Sequence, residues 1–199
     1  MPAQITIEVL WAALLGFGLG SIPFGLILTR AAGLGDVRQI GSGSIGATNV
    51  LRTGNKGLAA ATVLLDAAKG AVPVLACAQW LPGTEGVAAV AAVAGHCFTP
   101  WLMFKGGKGF ATAAGVLLAL AWPAMLVCAA IWAATLALSR ISSVSSMVTV
   151  VAAPVVAWAL GYPAVVAPLV AIAAIVLVQH RANIGRLMRG EEPKVGSKG

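Results

Sequence analysis

The sequence predicts an all-α polytopic membrane protein with seven transmembrane helices, its N-terminus outside and its C-terminus cytoplasmic. Three observations carry that expectation. Of 199 residues, 59% are hydrophobic and only 10% charged, with mean hydropathy +0.94, whereas a soluble domain carries about 25% charged residues. Apolar runs recur at lengths able to cross a hydrocarbon core of about 30 Å at roughly 1.5 Å per residue. The basic residues, finally, fall in alternate loops. No linker-like tract separates independent halves, so 1–199 is expected to be a single domain.

The first run, 5–28, is long enough to span, and Gly16, Gly18, Gly20 and Ser21 give it a small-residue face. Pro23 is positioned to kink it. No Lys or Arg precedes Arg30, so a secretory signal with a basic n-region is not expected and the run should remain as a helix. Residues 31–57 are polar, glycine-rich and too hydrophilic to span. The second span, 58–80, carries Asp66 and Lys69 three residues apart, hence on one helix face. An intramembrane charge suggests function, but mutual neutralisation favours a structural pair here.

A cation-free loop, 81–86, leads to a third span over 87–104, interrupted near its end by His96 and Pro100. Residues 110–138 are too long for one simple span, and Trp122-Pro123 should divide or kink them. A hydroxyl-rich loop, 139–146, precedes two last runs, 147–160 and 163–178. The tail carries Arg181, Arg186, Arg189, Lys194 and Lys198.

With 110–138 counted as two helices there are seven spans. Loops 31–57, 104–109 and 139–146 and the tail then hold every Lys and Arg except Lys69 and Arg30, the latter at the first loop's edge. That asymmetry follows the positive-inside rule and sets the orientation. The net charge of +7 would suggest nucleic acid in a soluble protein. Beside membrane spans, lipid headgroups account for it instead. Cys77, Cys97 and Cys128 lie in or beside apolar runs without metal-like spacing and read as packing residues.

Four polar segments thus share the cytoplasmic face. Residues 41–52 supply three glycines, three hydroxyls, Asn49 and Arg52, and 104–109 supply three glycines with Lys105 and Lys108. Ser142, Ser143, Ser145 and Ser146 add hydroxyls, and 180–186 add His180, Asn183 and two arginines. Singly, each has a plain explanation: serines cap helices, Asn49 shapes a turn, and Arg186 and Arg189 touch lipid phosphate. His96 at a helix end reads as a structural histidine. Together they form the inventory that two phosphates in one pocket require, namely backbone amides, hydroxyls and fixed cations. No carboxylate pair, nucleophile elbow, nucleotide-binding βαβ unit or His-x4-Asp acyltransferase motif accompanies them. Few acids remain on that face, so no protein-held metal is expected.

These segments resemble the three motifs of the bacterial acyl-phosphate:glycerol-3-phosphate acyltransferases. Residues 41–52 are similar to the first motif, 95–109 to the second and 180–192 to the third, and the resemblance covers essentially the whole chain. It implies an inner-membrane enzyme of phospholipid synthesis that moves a fatty acyl group from acyl phosphate to glycerol 3-phosphate. The products would be lysophosphatidate and inorganic phosphate, with no cofactor and a functional link to an enzyme that makes acyl phosphate. Carried onto this chain, it implies Ser42, Arg52, Lys108, His180 and Asn183 as catalytic residues. Thr48, Asn49, Lys105, Gly106, Gly107, Gly109, Ser143 and Ser146 would bind substrate, Ser146 in preference to Ser143, and Glu192 would be structural. The chain departs from the family pattern at Ser44, where Asn is usual, and at Thr99, which intervenes between Phe98 and Pro100.

Transfer is expected in one step, because an acyl phosphate is already activated. Either His180 or a substrate phosphate would take the proton. A rival reading, an anion transporter, would place polar groups on both faces and show an inverted repeat; neither is evident.

Overall fold

A computed structural model describes residues 2–196, and every regular element among them is helical. The tail cation Lys198 lies outside the described residues. The order is α1 (Pro2–Gly20), α2 (Phe24–Ala31), the short α3 (Ala47–Val50), α4 (Lys56–Trp80), α5 (Glu85–Cys97), α6 (Phe110–Leu120), α7 (Trp122–Ser139), α8 (Ser142–Ala159), α9 (Val166–Gln179) and α10 (Arg181–Met188).

By length and apolarity four segments could cross a membrane: Ile7–Ala31, α4, α7 and α8. A fifth follows if α9 and α10, bent by 58° at their junction, count as one broken span. The expected third span is shorter than its apolar run, because α5 stops at Cys97, where Phe98 leaves helical geometry ahead of Pro100. The first span is interrupted beside Pro23, since α1 closes at Gly20 and α2 opens after the proline, yet Ile7–Ala31 still counts as one span. The 110–138 run divides at Ala121, one residue earlier than the Trp122-Pro123 pair. Pro123 then occupies the first turn of α7, where its missing N–H costs nothing. The expected serine loop is largely helical: α8 begins at Ser142, and Ser145 and Ser146 donate back to the carbonyls of Ile141 and Ser142.

Helix α5 is the hub, touching α1, α4, α6 and α9, while α8 joins α7 to α9. Backbones approach closely through reciprocal glycines. A methyl on Gly16 or Gly20 of α1 would strike the carbonyls of Ala88 and Ala92 on α5, and one on Gly95 of α5 would strike Phe17 on α1. The α4–α6 pair repeats the device, with Gly70 against Thr112 and Gly115 against Ala67. Such small-residue seams suit helices packed in lipid. Apolar side chains of α4, α5, α6, α8 and α9, among them Val74, Val93, Val116, Val150 and Ile172, fill the space between. The polar segments gather beyond the C-terminal ends of α5 and α9.

Candidate active site

Two glycine-bearing loops and the start of α10 enclose a cleft of about 190 Å³. Ser42, Gly43 and Ser44 form one wall, Gly106, Gly107 and Lys108 a second, and Gln179, Arg181, Ala182, Asn183 and Arg186 the third.

The first wall is shaped from within by Asn49, which is buried. Its Nδ2 is shared among the carbonyls of Val37, Ser44 and Ile40 at 2.7, 2.9 and 3.1 Å, and its Oδ1 accepts the Ser42 N–H at 3.1 Å. Every polar atom of that amide is therefore engaged in the loop, and a substrate-binding role for Asn49 gives way to a scaffolding one. Gly41 has φ +53, and a side chain there would also meet Asn49 and Arg52. From below, Gly25 of α2 lets that helix abut the Ile45 carbonyl. Arg38 hydrogen-bonds Asp36 beside this loop, its Nη2 at 2.6 Å with Arg30 Nη2 at 2.8 Å, and holds the carboxyl well below the usual range. Thr48 is exposed and lies off the cleft, and Arg52 borders the loop behind Gly41.

The second wall corrects the idea of an amide nest. The N–H groups of Gly106 and Gly107 do not converge on an open site; they donate to the carbonyls of Cys97 and His96, both at about 3 Å, and so satisfy the end of α5. These positions need glycine because a methyl on Gly106 would strike the His96 carbonyl and one on Gly107 the His96 ring. Gly109, φ +83, caps α6 and packs against Cys97, Val93 and Val176 rather than facing the cleft. Lys105 is exposed outside it. What this wall offers an anion is Lys108, with the first turn of α6 beginning two residues later. Burial lowers the Lys108 pKa, as do Arg186 and Arg52, while Glu192 opposes them. An incoming phosphate would relieve that repulsion.

The third wall is ordered by Glu192, whose side chain is 5% exposed. Its carboxylate accepts Ser143 Oγ at 2.6 Å, Asn183 Nδ2 at 2.5 Å and Arg186 Nε at 2.7 Å. Burial alone would raise its pKa, but these three donors outweigh burial and leave it lowered. A carboxylate only accepts, so it dictates that Asn183 turns Nδ2 away from the cleft. Asn183 Oδ1 is left buried with no hydrogen-bond partner among the described residues, an acceptor free for a donor. Ser143, not Ser146, is the serine tied to this wall, and it acts through Glu192. His180 Nδ1 lies 2.8 Å from the Val176 carbonyl; since the carbonyl accepts, Nδ1 carries the proton and Nε2 presents a lone pair.

Sequence reasoning missed Gln179 as a lining residue and counted Ser44, Arg181 and Arg186 only in the pooled inventory of hydroxyls and cations, without giving any of them a role of its own. The spacing of Arg186, three residues beyond Asn183, could have placed both on one face.

A helical protein with several segments apolar enough to cross a membrane thus builds, at its polar end, a cationic, carboxylate-ordered cleft suited to an anionic ligand. Residues 10–190 match the family described as glycerol-3-phosphate acyltransferase. The glycerol-3-phosphate acyltransferase of Erythrobacter litoralis is 60% identical over 187 residues, covering 94% of this chain and 95% of that one. Crystal structures of PlsY, an integral membrane glycerol 3-phosphate acyltransferase, are also similar. Its glycerol 3-phosphate form matches with TM-score 0.87 at 33% identity, over 97% of this chain and 96% of that one. Its lysophosphatidic acid form matches with TM-score 0.88 at 32% identity, over 94% and 95%. The chain belongs to the glycerol-3-phosphate acyltransferase family.

Proposed function

We propose that this protein is the acyl-phosphate-dependent glycerol-3-phosphate acyltransferase that performs the first acylation of bacterial phospholipid synthesis. The observation that carries the reading is the cleft itself: Lys108, Arg181, Arg186 and Asn183 line it together, and Asn183 Oδ1 has no hydrogen-bond partner among the described residues. Charged groups suit the phosphates, and an acceptor among them suits a hydroxyl. Asn183 Oδ1 accepts the 1-hydroxyl of glycerol 3-phosphate and aims its oxygen at the acyl carbonyl. Lys108, with Arg52 behind it, holds phosphate charge, and Ser42 donates to the developing oxyanion.

The hydroxyl oxygen forms the new ester bond as the bond from the acyl carbon to the phosphate oxygen breaks, releasing inorganic phosphate. The Val176 carbonyl fixes the His180 tautomer but adds no charge to stabilise an imidazolium, so the proton passes to a phosphate oxygen, with a second pKa near ~6. His180 positions substrate. The membrane setting suits a substrate whose chain partitions into lipid at about 0.8 kcal/mol per CH₂.

The reading treats 1–199 as one inner-membrane domain with seven spans, counting the short α5 and α6, and the cleft on the cytoplasmic face. One-sided cations and the gathering of Lys108, Arg181 and Arg186 at one end of the bundle support it. An impermeant thiol reagent should label Pro82→Cys and Ala164→Cys from outside intact cells and leave Ser42→Cys unlabelled; the reverse pattern would invert the topology. Purified protein given glycerol 3-phosphate and a fatty acyl phosphate should release stoichiometric lysophosphatidate and phosphate. Turnover with acyl-CoA and none with acyl phosphate would refute the donor. In a rapid quench without acceptor, no acyl group should appear on Ser42.

A further inference from the structure

Directly behind the cleft, but not lining it, lies a buried ionic cluster. Asp66 and Lys69 on α4 and His96 on α5 are 2%, 4% and 3% exposed. Lys69 Nζ stands 2.8 Å from Asp66 Oδ1, an ion pair on one helix face. The pair is not isolated. Lys69 Nζ also donates to the Ile22 carbonyl at 2.7 Å, in the break between α1 and α2. On its other side Asp66 Oδ1 is 3.7 Å from His96 Nδ1, and neither atom has a well-directed hydrogen bond among the described residues. The opposite edge of the His96 ring rests on Gly107, whose N–H the His96 carbonyl accepts at 3.0 Å. The α1–α2 break in turn leads into α2, whose Gly25 supports the Ile45 carbonyl of the first glycine loop.

We propose that Asp66, Lys69 and His96 form a positioning device that sets the spacing between two walls of the cleft. His96 is the strut under the Gly106–Lys108 wall, and Asp66 fixes that strut from behind. Lys69 ties the same carboxylate to the break that carries the Ser42 wall. Charges at this depth are costly, and for cohesion alone an apolar pair of like volume would serve as well. What an apolar pair lacks is the directed bond from Lys69 to the Ile22 carbonyl, which fixes the α1–α2 break to α4 while the Asp66 carboxylate lies between that lysine and the His96 ring. This inference rests on the cleft being the glycerol 3-phosphate site, so its tests include one readout independent of that reading.

The charge-free double variant Asp66→Val/Lys69→Met removes both ions and so avoids stranding one. It should unfold within a few degrees of the parent in detergent, yet show KM for glycerol 3-phosphate raised about tenfold with a smaller change in kcat. A variant that regains parental KM along with its melting temperature would overturn the proposal and leave a merely structural pair. Crowding gives the second test. Gly107→Ala should raise KM by pushing on the imidazole, and adding His96→Ala should lower it again, although His96→Ala alone raises it. Multiplying defects would count against the strut. The third readout is a spin label on Lys105→Cys, which should become more mobile in the charge-free variant whatever the substrate; unchanged mobility would reject the device even if the function stands.

Discussion

The two glycine loops of the cleft look alike in sequence and are held in opposite ways. Residues 41–46 are stabilised by a residue of their own motif, since Asn49 gathers three carbonyls and one N–H into a buried knot. Residues 106–109 have no such internal anchor. Their amides are latched to the end of α5, and their shape is moulded on His96. A loop of the first kind fails locally when its anchor is lost. One of the second kind transmits any shift of the helix that supports it.

The sharpest way to break the first loop is Asn49→Asp. A carboxylate would then face three carbonyls with no donor of its own, a buried unpaired charge costing about 3–5 kcal/mol. Thermal unfolding and activity should both collapse, whereas Asn49→Ala should lose only about 1–3 kcal/mol. Glu192→Gln tests the third wall. Removing the charge loosens Arg186 and lets the Asn183 amide turn over, costing about 1.5–3 kcal/mol in kcat/KM. The same carboxylate sets a pH limit. Its folded pKa is depressed, so its contribution is present above the ordinary glutamate range and is lost only as pH falls through the lowered value. The acid limb of stability should shift upward when a Ser143→Ala variant removes one donor. Gly106→Ala drives a methyl into backbone that cannot yield, and about 1–3 kcal/mol of strain should appear as raised KM for glycerol 3-phosphate. Lys105→Ala and Thr48→Ala are the controls: both side chains are exposed off the cleft, and kcat/KM should stay within about twofold.

The same contrast explains what the sequence disclosed. Helical class, the polar islands and the Asp66–Lys69 pair depend on composition or on spacing of three or four residues, which can be read directly, whereas the structural part of Glu192 follows only from the family resemblance. The direction of the Asn183 amide depends on Glu192, nine residues away across a turn, and the fate of the Gly106 and Gly107 amides depends on where α5 ends. A run of glycines and lysines signals that backbone is exposed to something, but not whether that partner is a phosphate or a neighbouring carbonyl. Ser145 and Ser146 misled for a related reason. Hydroxyls that back-bond within a helix have the same composition as a polar loop.

The glycine seams joining α1 to α5 and α4 to α6 carry a thermal consequence. They bring Cα atoms against carbonyls at the glycine positions, where no side chain is buried, so little ordered water is released there when they close. Water release is what gives soluble proteins their large heat capacity of unfolding and the steep curvature of stability with temperature. Contacts lacking it are governed by packing enthalpy and should not weaken on cooling, as hydrophobic contacts do. The framework beneath the cleft is thus one whose heat-capacity signature in calorimetry should be small for its size, with cold leaving the spacing of the helices nearly unchanged.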